Sequence, residues 1–428
     1  MKPLHALFLG AAFLGASAFA ADEAKKPAAD VKPAAKAPAV KLPAQPADVA
    51  APKLGNDGQP QAGFVKSHES FVALAKKGEA QVVFLGDSIT AGWGRQAAIF
   101  DKEFGQYKAA NFGIGGDRTQ HVLWRVENGE FEGIKPKVVV LVDYPGLNLR
   151  LANELRKAGL SRAGFGETAV IQYVSPQLWA WKPKRRFTMA RDLDGVGTIF
   201  PFEPACYADT KLDARFVGHP FAEKEHVPGL RHDPDGPVLL LPGSRPKPVR
   251  KIFPALVEAF ALFRRNHPKR RALVLHTGGE VHAELYRLLA EYGEEAKGID
   301  LRPVSEGPAA GCAALVSSGT MSLTVALAGI PGAVVYRANP LTWIVGRRLI
   351  AGRVDHLGIA NILLKRPAWP EYLQSACEPR ALAARLSACV DDPALRATAA
   401  ADAAELRAGL SARAGATPAE WAATFLRP

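Results

Sequence analysis

The feature that most constrains this chain is a set of short, uninterrupted apolar runs, each halted by a turn. Gln81-Val-Val-Phe-Leu85 breaks at Gly86 into Asp87-Ser88-Ile-Thr90, and Val138–Val142 stops at Asp143 before Pro145-Gly146. Val238–Leu241 ends in Pro242-Gly243-Ser244-Arg245, and Ala313–Val316 runs into Ser317-Ser318-Gly319-Thr320, followed by the helical stretch Met321–Ala328. A strand that is apolar at every position, rather than at alternate ones, is buried on both faces, as in a parallel sheet covered by helices. The expected class is α/β. At 428 residues and 48% hydrophobic content the chain can bury more than one core.

Outside these runs the sequence says less. Residues 1–20 carry Lys2, the apolar run Leu7 to Phe19 and a small-residue end, Ser17-Ala18-Phe19-Ala20, a secretory signal pattern too short to span a bilayer. Residues 21–60 are dominated by Ala, Pro and Lys and are expected to form a disordered linker. Four cysteines, Cys206, Cys312, Cys377 and Cys389, lie too far apart for a zinc site, so no metal is expected. The net charge of +12 favours an anionic partner, whether a membrane surface, a phosphorylated substrate or nucleic acid, without choosing among them.

In sheets of this kind ligands bind beyond the carboxyl ends of the strands. Arg245 can there offer a fixed cation to a diphosphate, and the helix start at Ser318-Gly319-Thr320 can offer backbone amides. Two phosphate-handling strand ends in one domain suggest a nucleotide-diphosphate donor. Asp143, also at a strand end, can take a proton as a general base or cap the helix that follows.

Eight motifs carry a resemblance. They are Asp143-Tyr-Pro-Gly-Leu-Asn148-Leu-Arg-Leu-Ala152, Tyr173-Val-Ser-Pro-Gln-Leu-Trp179-Ala-Trp181, Phe200-Pro-Phe-Glu203, Val217-Gly-His219-Pro220, Leu240-Leu-Pro-Gly-Ser-Arg245, Ser318-Gly319-Thr320, Tyr336-Arg337 and Glu371-Tyr-Leu-Gln374. In this order, over residues 142 to about 400, they resemble the lipid-A-disaccharide synthases. The resemblance implies two Rossmann-like parallel-sheet domains of glycosyltransferase-B type and an inverting transfer without cofactor or obligatory metal. The implied substrates are UDP-2,3-diacylglucosamine and 2,3-diacylglucosamine 1-phosphate, used at an inner-membrane surface, with no nucleic acid involved. It also implies Asp143 as base and Arg245, Ser318, Gly319 and Thr320 as donor-binding residues. Further candidates are Asn148, Glu203, His219, Tyr336, Arg337, Asn361, Glu371 and Gln374. The sequence departs from the family at Gly146, Pro248 and Thr324, where acidic residues are usual, and at Ala360, where Pro is usual. Trp179 and Trp181 fit a core or cleft wall, or a contact with an acyl chain or sugar. His219 fits a structural histidine equally well, and the basic, apolar stretch 341–353 fits either a membrane-facing or a core-packed helix.

The front of the chain resembles a different family. Gly86-Asp-Ser88-Ile-Thr90 and Gly113-Ile-Gly-Gly116-Asp117, at this order and spacing, are similar to SGNH (GDSL-type) hydrolases of the platelet-activating-factor acetylhydrolase branch, over about residues 61–141. That resemblance implies Ser88 as nucleophile and Gly116 as an oxyanion donor. The family's Gly-x-Asn pattern and its Asp-x-x-His pair are missing. The expected layout is therefore a signal peptide (1–20), linker (21–60), partial SGNH-like segment (61–141), the rest of a hybrid first domain (142–222), a UDP-sugar domain (223–400) and a helical tail (401–428). Two alternatives remain open, an exported esterase using Ser88 and an inactive fusion that only binds nucleotide. The signal pattern points to export, whereas UDP-sugars are cytoplasmic.

Overall fold

The computed structural model describes residues 42–222, 229–339, 343, 348, 352–411 and 417–427. The chain divides into two compact units. One contains the described residues up to Gly218 together with those of Arg413–Pro428, and the other those of His219–Ala412. The signal pattern over 1–20 and most of 341–353 lie outside the described residues.

The first unit is built on β1 (Val82–Gly86), β2 (Ala109–Gly113), β3 (Val138–Val142), β4 (Ala169–Tyr173), β5 (Gly195–Thr198) and β6 (Asp213–Phe216), in the order β2-β1-β3-β4-β5-β6. Every pairing is parallel. The fully apolar runs follow from the layering. Val83, Leu85, Val139, Leu141 and Val170 pack on one face against Leu147, Leu151 and Leu155 of the helix Pro145–Lys157. Phe84, on the other face, meets the rings of Trp93, Phe100 and Phe104. The same face receives the C-terminal helix Pro418–Thr424 through Trp421, which is 1% exposed and lies with Phe84, Val140 and Tyr173 around a small void. The 401–428 stretch is thus two separate things. Helix Pro393–Ser411 belongs to the second unit, and the last helix completes the first.

β5 shows why the last helix docks there. A Cβ on Gly197 would lie 2.8 Å from the Trp421 ring, and one on Gly195 would lie 2.4 Å from Phe425. The two glycines clear space on one strand face for two aromatic rings. The linker expected over 21–60 also ends earlier than its composition suggested. Ala51 N donates to Gln120 O, and Lys53 Nζ donates to Gly115 O at 2.5 Å while lying 3.8 Å from buried Asp117. Lys53 thus gives an otherwise weakly apolar segment an ionic anchor.

The second unit begins with β7 (Leu230–His232), β8 (Val238–Leu241), β9 (Ala272–His276), β10 (Ile299–Pro303) and β11 (Ala309–Gly311). It continues with β12 (Ala313–Ser317), β13 (Gly332–Tyr336) and β14 (Glu371–Leu373). Its main sheet has the order β10-β9-β8-β12-β13-β14, all parallel, and β11 pairs with β7. Val238, Leu240, Leu315 and Val335 face the helices Pro246–Arg264 and Pro379–Asp391, while Leu239, Leu241 and Val316 face a separate cluster that includes Val325. Both units are Rossmann-like parallel α/β layers, the class the apolar runs predict.

Candidate functional site

In the first unit the candidate residues meet at the carboxyl ends of the strands. Asp143 directly follows β3 and has φ 54°, a left-handed conformation uncommon for a residue with a side chain. Such backbone costs of order 1 kcal/mol or more and persists where its surroundings hold it. Here they do. Gln172 Nε2 donates to Asp143 O at 2.5 Å, Asn148 Nδ2 donates to Val142 O at 2.9 Å and to Asp143 O at 3.3 Å, and Asp143 N donates to Tyr173 O at 2.8 Å. Gln172 and Asn148 are both buried, so two desolvated amides are committed to one peptide unit. Asn148 therefore acts on the backbone of the candidate base. Gln172 was missed in the sequence, where its only signal is a polar residue in the middle of the run Ala169–Tyr173.

The capping alternative for Asp143 does not hold. The N-cap position of Pro145–Lys157 is Tyr144, and no side chain caps that helix. Burial, and then the Asp87 carboxylate on the neighbouring turn, push the Asp143 carboxyl up to about 6. Glu203 is buried at 1% exposure, accepts from Ile199 N and Phe200 N at 3.1 Å each, and accepts from Trp179 Nε1 at 3.2 Å. Three donors favour the ionised form, yet burial outweighs them and pushes the carboxyl up to about 8. Trp179 is thereby tied to Glu203 and packs edge-on to Phe202. Lys182 lies over the Trp181 ring.

Ser88 is exposed at the start of the four-residue helix Ser88–Ala91. The two described histidines of this unit serve other groups. His68 Nδ1 pairs with Glu130 at 2.9 Å, and His121 Nδ1 accepts from Arg118 N at 3.1 Å. Burial, followed by neighbouring cations, lowers the His121 imidazole to about 4. Gly116 has φ 75°, and a Cβ there would lie 2.9 Å from Lys53 Nζ, so the expected oxyanion turn sits under the Lys53 anchor.

In the second unit the two expected phosphate-handling turns are adjacent. β8 and β12 are register partners through Leu241 and Val316, and a Cβ on Gly243 would lie 3.3 Å from Ser317 Oγ. Arg245 is exposed at the N-cap of Pro246–Arg264. Tyr336, at the end of β13, is pushed up to about 12 by burial, with Arg245 opposing. Gly319, φ 131°, starts the helix Thr320–Leu327, a conformation that suits glycine. The Thr320 Oγ1 is buried without a hydrogen-bond partner. Thr324, where the family favours an acid, donates back to Thr320 O at 3.3 Å.

The remaining candidates divide into two groups. Arg337 and Gln374, with Lys251 and Ala338, line an open cavity of about 260 Å³. Arg337 donates to Cys377 O, and Gln374 Oε1 accepts from Ala338 N at 2.6 Å. Lys251 was not singled out in the sequence, because a lysine on a helix carries no local mark. Glu371, Asn361 and His219 are held in local hydrogen bonds. Glu371 accepts from Leu357 N, Gly358 N and Asn361 Nδ2, each at 2.9 Å, and Asn361 clamps Trp369 with two bonds. His219 is 2% exposed and its Nδ1 accepts from Phe221 N at 3.1 Å.

Residues 125–420 match the family model described as lipid-A-disaccharide synthetase. The match starts before β3, earlier than the motifs from Asp143 onward suggest, and it reaches into the last helix. The chain is 33% identical over 272 residues to the lipid-A-disaccharide synthase of Geobacter sulfurreducens, covering 60% of this chain and 67% of that one. It is 36% identical over 289 residues to that of Anaeromyxobacter dehalogenans, covering 64% and 72%. Among solved structures, the glycotransferase of kitacinnamycin matches with a TM-score of 0.42 at 13% identity, covering 82% of this chain and 92% of that one. CalG4, the calicheamicin glycosyltransferase, matches with a TM-score of 0.42 at 12% identity, covering 81% and 97%.

Proposed function

The chain belongs to the lipid-A-disaccharide synthetase family, and from that premise we propose that it is a hexosyltransferase that moves 2,3-diacylglucosamine from UDP to the 6-hydroxyl of 2,3-diacylglucosamine 1-phosphate. In this reading Asp143 takes the proton of the attacking hydroxyl. The new O–C1 bond forms as the C1–O bond to UDP breaks, with inversion, and no cofactor or obligatory metal takes part. The observation that carries the reading is the Asp143 peptide. A carboxylate with an affinity for protons near pH 6, locked by two buried amides at a strand end, suits a base working near neutral pH.

Arg245 and the amides of Ser318-Gly319-Thr320 would receive the charge that builds on the leaving diphosphate, as fixed dipoles and a permanent cation do without reorganisation. The acylated substrates and the net charge of +12 favour work at an anionic membrane surface. We take residues 61–141 as an SGNH-like front half joined to the transferase, on the Gly86-Asp-Ser88-Ile-Thr90 and Gly113-Ile-Gly-Gly116-Asp117 motifs. The transferase family match begins at 125 and takes in the end of that stretch. With both described histidines of its unit engaged elsewhere, Ser88 has little support as a nucleophile.

UDP release from UDP-diacylglucosamine plus diacylglucosamine 1-phosphate in detergent tests the reading. Release should require both sugars and fall at least tenfold in Arg245→Ala. A folded protein that releases no UDP would end it.

A further inference from the structure

We infer that Asp87, on the turn contributed by the front half, is a positioning residue for the proton transfer, its carboxylate standing level with Asp143 one strand away and governing how tightly Asp143 holds the acceptor's proton. This rests on the transferase reading of Asp143. The placement follows from the sheet register. Val82, Val83 and Phe84 pair with Val138, Val139 and Val140, so the same step carried on brings Asp87 opposite Asp143. Neighbouring strands are about 4.8 Å apart in backbone spacing, and the Asp87 charge bears on Asp143 across that gap.

Both residues are held. A Cβ on Gly86 would come 2.4 Å from Thr90 Oγ1, and one on Gly113 would come 2.2 Å from Ala91 N. The turn therefore nests on β1 and β2 with no room to slide, and Asp87 Oδ1 accepts from Ile89 N at 2.9 Å. Asp143 is fixed on its side by Gln172 and Asn148. The charged groups that bear on this pair within the unit are carboxylates. Asp87 approaches from the β1 turn and acts directly on Asp143, while Glu203, on the segment after β5, feels Asp143 in turn. Burial raises the proton affinity of Asp87 as well.

Two like charges in a poorly solvated site cannot both ionise freely, so the Asp87 charge strengthens Asp143's hold on a proton. A stronger base takes the hydroxyl proton more readily in the transition state. The front half would then contribute more than a scaffold, because its Gly-Asp-Ser turn supplies a charge that tunes the base of the second family.

Asp87→Asn keeps the acceptor for Ile89 N and removes only the charge. In UDP-release assays the acid limb of its kcat/KM profile should move down by about one pH unit, while the plateau kcat falls severalfold and KM for the acceptor changes little. Ser88→Ala, next on the same turn, should leave the midpoint in place. Loss of activity at every pH with an unmoved midpoint, or an equal movement in Ser88→Ala, would overturn the inference. Carbon-13 NMR of the Asp143 carboxyl, identified by its loss in Asp143→Asn, reads the coupling without turnover. A lower midpoint in Asp87→Asn supports the coupling even if the wild-type protein releases no UDP, an outcome that would sink the transferase reading alone. An unchanged NMR midpoint ends this inference whatever the activity.

Discussion

Glu203 makes the stability of the first unit depend on pH with an unusual sign. Its carboxyl moves from 4.5 in the unfolded chain to about 8 in the folded unit, so between those values the native state keeps a proton that the unfolded chain releases. Stability contributed by such a group is fully present below the unfolded value and is lost as pH rises through the folded one. Each tenfold in proton affinity corresponds to about 1.4 kcal/mol, so the pH-dependent part amounts to at most about 5 kcal/mol. Most carboxylates behave the other way, with folding lowering their proton affinity. The perturbation is Glu203→Gln, which keeps an oxygen to accept from Ile199 N and Phe200 N and cannot ionise. In the variant an amide NH2 replaces the oxygen that accepts from Trp179 Nε1, a loss that does not depend on pH. Urea unfolding followed by tryptophan fluorescence should show the stability difference shifting in the variant's favour by a few kcal/mol between pH 5 and pH 8. A stability difference constant from pH 5 to 8, or one that moves against the variant as pH rises, would refute the assignment of a neutral buried Glu203.

Three other outcomes follow from the same structure. Asp143→Asn should cut UDP release by roughly 10²–10⁴-fold, with no fall in the first unit's urea midpoint at pH 7, where the variant no longer ionises a buried carboxyl, and wild-type kcat/KM should fall about tenfold per pH unit below about 6. Arg125 is fully buried between Asp117, at 2.7 Å, and Glu130, at 2.8 Å, so Arg125→Met strands two buried carboxylates and should cost about 3–5 kcal/mol in urea unfolding of the first unit. Trp421→Ala empties the space cleared by Gly197 and should cost that unit about 3–5 kcal/mol by the same measurement, with the transition of the second unit unmoved.

The strands and the two turns of the second unit were legible because they are local. Val238–Leu241 and Ala313–Ser317 announce themselves by composition, and their glycines mark where the chain must turn. Asp143 was legible from its place at a strand end. What held it was not, because Gln172 sits in the adjacent strand and its meaning depends on the register that pairs Leu141 with Gln172. The last helix shows the same limit more strongly. Its helical character could be read from composition, but its partner is a pair of glycines more than 200 residues upstream, in a β5 segment that is poor strand sequence by propensity. Glycine records a neighbour only as an empty space. The linker was misjudged for a related reason. Ala, Pro and Lys describe a chain without a core of its own, and the contacts that tie it down, Ala51 to Gln120 and Lys53 to Gly115 and Asp117, depend on partners in another segment.

The same long-range logic bears on how distant segments form the sheet of the first unit. A parallel sheet places few demands on which strand follows which, provided each offers a straight edge and buried faces, and a right-handed crossover satisfies both. β3 lies between β1 and β4, so one edge of a single strand meets a segment before residue 125, where the family match begins, and the other meets a strand within it. Backbone pairing alone would leave that junction open to register slips. The buried ionic cluster adds the specificity the ladder lacks. Arg125, the first residue of the family match, joins Asp117 and Phe112 O on one side to Glu130 on the other, and His68 on the helix Ala62–Ala75 also grips Glu130. These charges are desolvated, and burial pushes Asp117 up to about 6 despite the adjacent guanidinium. Such a cluster is a poor way to gain stability compared with apolar packing. Its geometry is demanding, however, and it ties the helix Ala62–Ala75, the end of β2 and the segment 117–130 to one another. Loss of these four side chains should therefore harm the first unit's order more than any single apolar truncation in β3.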